Sequence, residues 1–75
     1  MDNLLNIKQG EYCTINQISL SSPSAIHRRL LDLGFTKGQK IRTIGKSLLK
    51  KAYLIEIRGY VLTLRKDIAA YILVN

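Results

Sequence analysis

Side chains able to do covalent or metal chemistry are few here, and they are scattered. The sequence holds one cysteine, Cys13, one histidine, His27, and five carboxylates, Asp2, Glu11, Asp32, Glu56 and Asp67. Nucleophilic catalysis needs a nucleophile, a base and an orienting group within reach of one another. Cys13 falls in a stretch that reads as a strand, where a small buried apolar role is the ordinary one. His27 falls on a helical pattern beside Arg28 and Arg29, as a partly exposed side chain. A transition-metal site wants three or four nitrogen, sulfur or oxygen donors, and no spacing in this chain gathers them. A phosphate loop of the Gly-x-x-x-x-Gly-Lys-Ser/Thr type is missing too. The expectation is a protein that is not an enzyme, with no cofactor, no metal ligands and no dedicated small-molecule substrate.

The basic residues say more. Twelve Lys and Arg against five Asp and Glu give a net charge of +7 over 75 residues. Residues 1–26 carry one lysine against two carboxylates, net −1; residues 27–75 carry eleven basic residues against three acidic ones, net +8. Such a surface suits an acidic partner, whether protein, nucleic acid or anionic membrane. The densest segment is Lys46-Ser47-Leu48-Leu49-Lys50-Lys51. Lys46, Lys50 and Lys51 bracket Leu48 and Leu49, which reads either as a solvated loop with its leucines folded inward or as a docking edge. In the second case leucines supply buried area and lysines steer the partner. Nucleic acid is the alternative reading: Tyr12, Phe35, Tyr53, Tyr60 and Tyr71 could offer stacking faces. Phe35, Tyr53 and Tyr60 are expected in core or strand roles, however, and no ribonucleoprotein-type aromatic motif is present. A third class, an adaptor for Pro-rich peptides, needs an aromatic-lined groove, and the chain has no Trp.

These side chains need a scaffold, and the sequence supplies one domain of it. With 47% hydrophobic and 23% charged residues, the chain has the composition of a folded protein rather than a disordered one. One cysteine allows no internal disulfide, although a secreted domain of this size would ordinarily need some. The first residues do not form a signal peptide. The longest apolar run, Ile68 to Val74, falls far short of the roughly 20 residues of a membrane span. A cytoplasmic protein without direct membrane insertion is expected.

Residues 11–18 read as a strand. Ser22 is placed as an N-cap and Pro23 as the first residue of a helix over 23–33. Ile26, Leu30 and Leu33 make its apolar stripe. Gly34 can take the left-handed conformation that ends a helix, with Phe35 packing back on Leu30. Gly38 supplies a turn. Strands follow over 40–45, 53–58 and 60–65, the last two joined at Gly59 as a hairpin. In the first of that pair Tyr53, Ile55 and Ile57 share one face, with Leu54, Glu56 and Arg58 on the other. Asp67 to Ala70 reads as one helical turn and Ile72 to Val74 as a last short strand. About five short strands with one helix between the first two suggest a small closed barrel, since closure removes exposed edges.

The ordered set Arg29-Leu30, Leu33-Gly34, Gly38, Gly59, Leu64-Arg65 and Ala69-x-x-Ile72-x-Val74 resembles the FeoA family, small cytoplasmic proteins of bacterial ferrous iron uptake. The resemblance runs over about residues 4 to 75. It implies an SH3-like barrel and an accessory or regulatory role through contact with FeoB, a membrane permease carrying a cytoplasmic GTPase domain. Through that partner the protein would sit at the inner membrane. Family annotation of metal binding finds no ligand set here. Lys37 stands where the family often has Pro, and 46–51 lacks the Pro and Gly common between the central strands. That loop is therefore expected to be built differently, and the docking edge Lys46, Leu48, Leu49, Lys50 and Lys51 is placed on it. A related module ends some iron-dependent repressors; with Met1 at its start, this chain is expected to stand free. Self-association stays open.

Overall fold

A computed structural model describes residues 2–47, 49 and 51–75. Leu48 and Lys50, two of the five residues expected to form the docking edge, lie outside the described residues.

Six strands form one antiparallel sheet: β1 (Asp2–Asn3), β2 (Tyr12–Ile18), β3 (Lys40–Lys46), β4 (Ala52–Ile57), β5 (Tyr60–Arg65) and β6 (Ile72–Val74). Their spatial order is β1-β6-β2-β3-β4-β5. Helix α1 (Ser24–Asp32) joins β2 to β3, and a single turn, α2 (Lys66–Ala69), joins β5 to β6. The strand count thus exceeds the expectation by one, and α1 lies between the second and third strands rather than the first and second. The addition is β1, two residues paired with β6, followed by a 3-10 turn, Leu4–Asn6. Asn3 caps that turn by accepting a hydrogen bond from the Leu5 N–H at 2.8 Å. Leu4 is thereby buried completely.

Two bulges bend the sheet around its core. In β2 strict alternation would send Cys13, Ile15 and Gln17 inward. The register against β6 shifts between Ile15 and Gln17, and the residue facing inward becomes Ile18, which is 3% exposed. One extra residue therefore keeps a glutamine out of the core. A second shift falls between Thr43 and Gly45 of β3, against β4. In β4 the expected alternation holds: Tyr53, Ile55 and Ile57 are all buried.

The helix ends as its sequence dictates. Gly34 has φ +102; its N–H donates to the Leu31 carbonyl and the Phe35 N–H to the Leu30 carbonyl, both at 3.0 Å. That pair of bonds is a Schellman motif, and its apolar contact is Phe35 on Leu30, both fully buried. The helix start differs from expectation. Pro23 is itself the cap residue, with extended ψ of 143, and no side chain caps the first turn. Its carbonyl accepts the first helical bond, from the His27 N–H at 2.9 Å. Ser22 does not act as N-cap because its hydroxyl is engaged backwards, donating to the Ser19 carbonyl at 2.7 Å.

Candidate docking surface

The β3–β4 loop is held by one side chain. The Ser47 Oγ accepts hydrogen bonds from the Lys51 and Ala52 N–H groups, both at 3.1 Å. The Ser47 N–H donates to the Ala52 carbonyl at 2.8 Å. These bonds close the neck of the loop, and the Lys66 N–H of α2 ties it to the rest of the fold by donating to the Lys51 carbonyl at 2.8 Å. Leu49 is left 72% exposed. Lys46 lies over the Tyr53 ring at 5.4 Å, and Lys46 and Lys51 are exposed. For Leu49 the structure therefore excludes the reading in which the loop leucines fold onto the barrel.

The β4–β5 connection is built in the opposite way. Ile57 pairs with Tyr60, so Arg58 and Gly59 form a two-residue turn. Their φ values of 52 and 84 are those of a type I′ turn, whose twist matches a hairpin. The Tyr60 hydroxyl, rather than entering the core, donates to the Leu33 carbonyl at 2.7 Å, while 43% of the residue stays exposed. The Arg58 side chain lies so close to Gly34 that a Cβ there would meet its Cδ at 2.9 Å. Gly38, with φ +88, donates to the Ile15 carbonyl at 2.8 Å and ties the turn after α1 to β2.

The outer face of the sheet carries a charged row. Tyr12, Arg42 and Glu56 stand side by side across β2, β3 and β4. Arg42 Nη2 reaches both Glu56 carboxylate oxygens, at 3.1 and 3.2 Å. The Arg42 guanidinium and the Lys40 ammonium lie 4.9 and 5.6 Å from the centre of the Tyr12 ring. With both side chains of the ion pair about one-third exposed, the pair contributes roughly 0–1 kcal/mol. Phe35 and Tyr53 are buried, which removes two of the five aromatic rings as stacking faces.

Cys13 and His27 have separate surroundings. Cys13 is buried in β2 opposite Ile41, and burial pushes its thiol pKa up, away from the reactive thiolate. His27 Nδ1 lies 3.4 Å from the Ser22 hydroxyl. Among the described residues no three of His, Cys, Asp and Glu gather as metal donors.

Comparison with known proteins places this arrangement. The model of the FeoA domain matches residues 3–75. The chain belongs to the FeoA family. No curated protein matches it. Among solved structures, the FeoA-family chain is similar to Stenotrophomonas maltophilia FeoA, solved with zinc and described as a procaryotic SH3 domain protein and candidate ferrous iron transport activating factor. Identity is 25%, coverage is 100% of this chain and 91% of that one, and the TM-score is 0.86. It is also similar to the FeoA-like protein of Clostridium acetobutylicum, at 28% identity, with coverage of 99% and 84% and a TM-score of 0.87. A manganese-dependent transcriptional repressor shares the fold at 19% identity and a TM-score of 0.85, the chain spanning 40% of its length. The fold is thus the SH3-like barrel expected of FeoA, although among the described residues β1 and β5 do not pair, so the sheet keeps two edges instead of closing.

Of the turn residues expected from sequence, Gly34, Gly38 and Gly59 are where the chain turns, while Ser22 and Pro23 are shifted as described. Sequence reasoning gave the Ser47 hydroxyl no role, and placed Tyr60 in a strand without its bond to the helix terminus. A tyrosine opening a strand gives no local sign of a partner 27 residues away, and a lone serine gives none that its hydroxyl gathers the N–H groups of a loop neck.

Proposed function

We propose that this FeoA-family protein is an accessory factor of ferrous iron uptake. It works in the cytoplasm by contact with the cytoplasmic part of a FeoB-type permease and GTPase, and is not itself an enzyme. The family match over residues 3–75 carries the assignment to iron uptake. The docking edge is the β3–β4 loop, Lys46, Leu48, Leu49, Lys50 and Lys51. Its support is the 72% exposure of Leu49 between basic residues. An apolar side chain left in water gains buried area only when a partner covers it. Lysines around it raise the encounter rate with an acidic surface. Binding changes the permease only by favouring one of its states over another.

The test is capture of the permease from detergent-solubilised membranes by the purified protein. Leu48→Asp with Leu49→Asp is expected to abolish capture while leaving the melting temperature unchanged. Unchanged capture with an intact fold would sink the docking assignment, and no capture by the wild-type protein would sink the permease reading.

A further inference from the structure

The two edges of the sheet are protected unequally. At one edge β1 is only two residues long, and a short edge strand is a poor template for another chain. At the other edge β5 is six residues, Tyr60–Arg65, paired in unbroken register with β4. It has no proline and no bulge, and its one charged residue is the terminal Arg65. Among the described residues nothing pairs with its outer side. Since Ile57 and Tyr60 close a two-residue turn, the hydrogen-bonded partners of β4 are Tyr60, Leu62 and Leu64. The backbone N–H and C=O groups of Val61 and Thr63 then point away from the sheet.

Beside this edge runs a groove of about 200 Å³ between α1 and β5. Its lining is Ile26 and Leu30 of α1, Leu33 just after it, Leu64 of β5 and Ile68 of α2, with Arg29 and Arg65 also on its walls. The Tyr60–Leu33 hydrogen bond ties α1 to the start of β5. The volume is below the roughly 300 Å³ at which drug-sized pockets begin, and suits one or two aliphatic side chains. Arg29 has no carboxylate partner among the described residues. Arg65 meets Asp67 at 3.1 Å with both side chains well exposed.

We propose that β5 and α1 form a strand-addition site for an extended segment of another protein. The segment pairs its backbone with Val61 and Thr63, seats one aliphatic side chain in the groove, and places acidic residues against Arg29 and Arg65. An open edge beside a helix-walled apolar slot is the geometry by which a peptide adds to a sheet, with backbone bonds giving affinity and the pocket giving specificity. A second copy of this chain is the poorer occupant. It would bring a second +7 charge and a second Arg65 to the same edge, whereas an acidic segment is complementary. The site is distinct from the β3–β4 loop and does not depend on a permease being the partner of that loop.

The probe is the blocked peptide Ac-Thr-Asp-Thr-Leu-Thr-Asp-Thr-amide, titrated into the isotope-labelled full chain and followed by NMR. The largest amide shifts are expected at Val61, Thr63 and Arg65, with methyl shifts at Ile26, Leu30 and Ile68. N-methylation of the peptide backbone on its pairing side should weaken binding about tenfold or more, as should exchange of its aspartates for lysines. Arg29→Glu with Arg65→Glu, both exposed enough to leave the fold intact, should reverse the preference between the acidic and basic peptides. Leu49→Asp should change nothing here. No binding at about 1 mM peptide, indifference to N-methylation, or shifts lying away from the groove would each overturn the site. A concentration-dependent dimer pairing β5 with β5 in sedimentation and NMR would overturn the occupant.

Discussion

The two hairpin connections flanking β4 solve the same geometric problem with different commitments to the rest of the molecule. The β4–β5 turn uses two residues and is cross-linked to the helix terminus. Arg58 covers Gly34, and Tyr60 bonds the Leu33 carbonyl. The β3–β4 loop spans residues 47–51 and closes on its own Ser47, with a bond from outside, the Lys66 N–H to the Lys51 carbonyl. The first end of the barrel is therefore fixed by tertiary contacts. The second is held mainly by its own Ser47, with one bond from α2 to Lys51.

The comparison can be broken from the fixed end first. Phe35→Ala removes a fully buried ring and the apolar contact of the helix terminus. A loss of about 3–5 kcal/mol is expected, a large share of the stability of so small a domain, and is read from urea unfolding. Gly34→Ala comes next. A φ of +102 strains any L side chain, and its Cβ would press on Arg58. About 2–3 kcal/mol is expected, seen as a melting temperature lowered by roughly 10–20 °C. If Gly34→Ala were neutral, the helix terminus and the hairpin would not be locked together as described.

Effects at the β3–β4 end should be smaller. Ser47→Ala removes the acceptor of two backbone N–H groups near the surface. A cost of about 1 kcal/mol is expected, with hydrogen-exchange protection lost at Lys51 and Ala52 and retained at Ile55 and Ile57. Loss of protection throughout β4 would show that the loop is coupled to the barrel after all. Leu49→Asp is the smallest, within about 0.5 kcal/mol in either direction, since the side chain is exposed.

Much of the fixed end was legible in the sequence because its signals are local. Gly34 followed by Phe35, after an apolar stripe ending at Leu33, specifies a helix terminus whose bonds all fall within six residues. Tyr53, Ile55 and Ile57 declare their face by alternation alone. The β2 bulge was not legible: Ile15 and Ile18 are three apart, and only pairing with β6 decides which residue is extra. Two-residue β1 has no periodicity to read, and the burial of Leu4 depends on strands far along the chain. Ser22 and Pro23 carried the right residue types for a helix start. The Ser19 carbonyl captured the Ser22 hydroxyl and moved the start by one residue. At the candidate site, the basic and apolar composition of 46–51 was plain. The exposure of Leu49 was not, since it follows from the Ser47 neck.

The place of β6 bears on how this protein is made. The last strand of the sequence lies between the first two, paired with β1 through Asp2 and Val74 and with β2 through Ile15 and Val74. β2, β3, β4 and β5 pair with neighbours in sequence order, yet β1 and β2 cannot be joined until Ile72 to Val74 lies between them. Until then the apolar side of β2 faces open water. Completion of the sheet is thus tied to residues 72–74, and a chain cut before Ile72 would leave an uncovered core rather than a slightly smaller barrel.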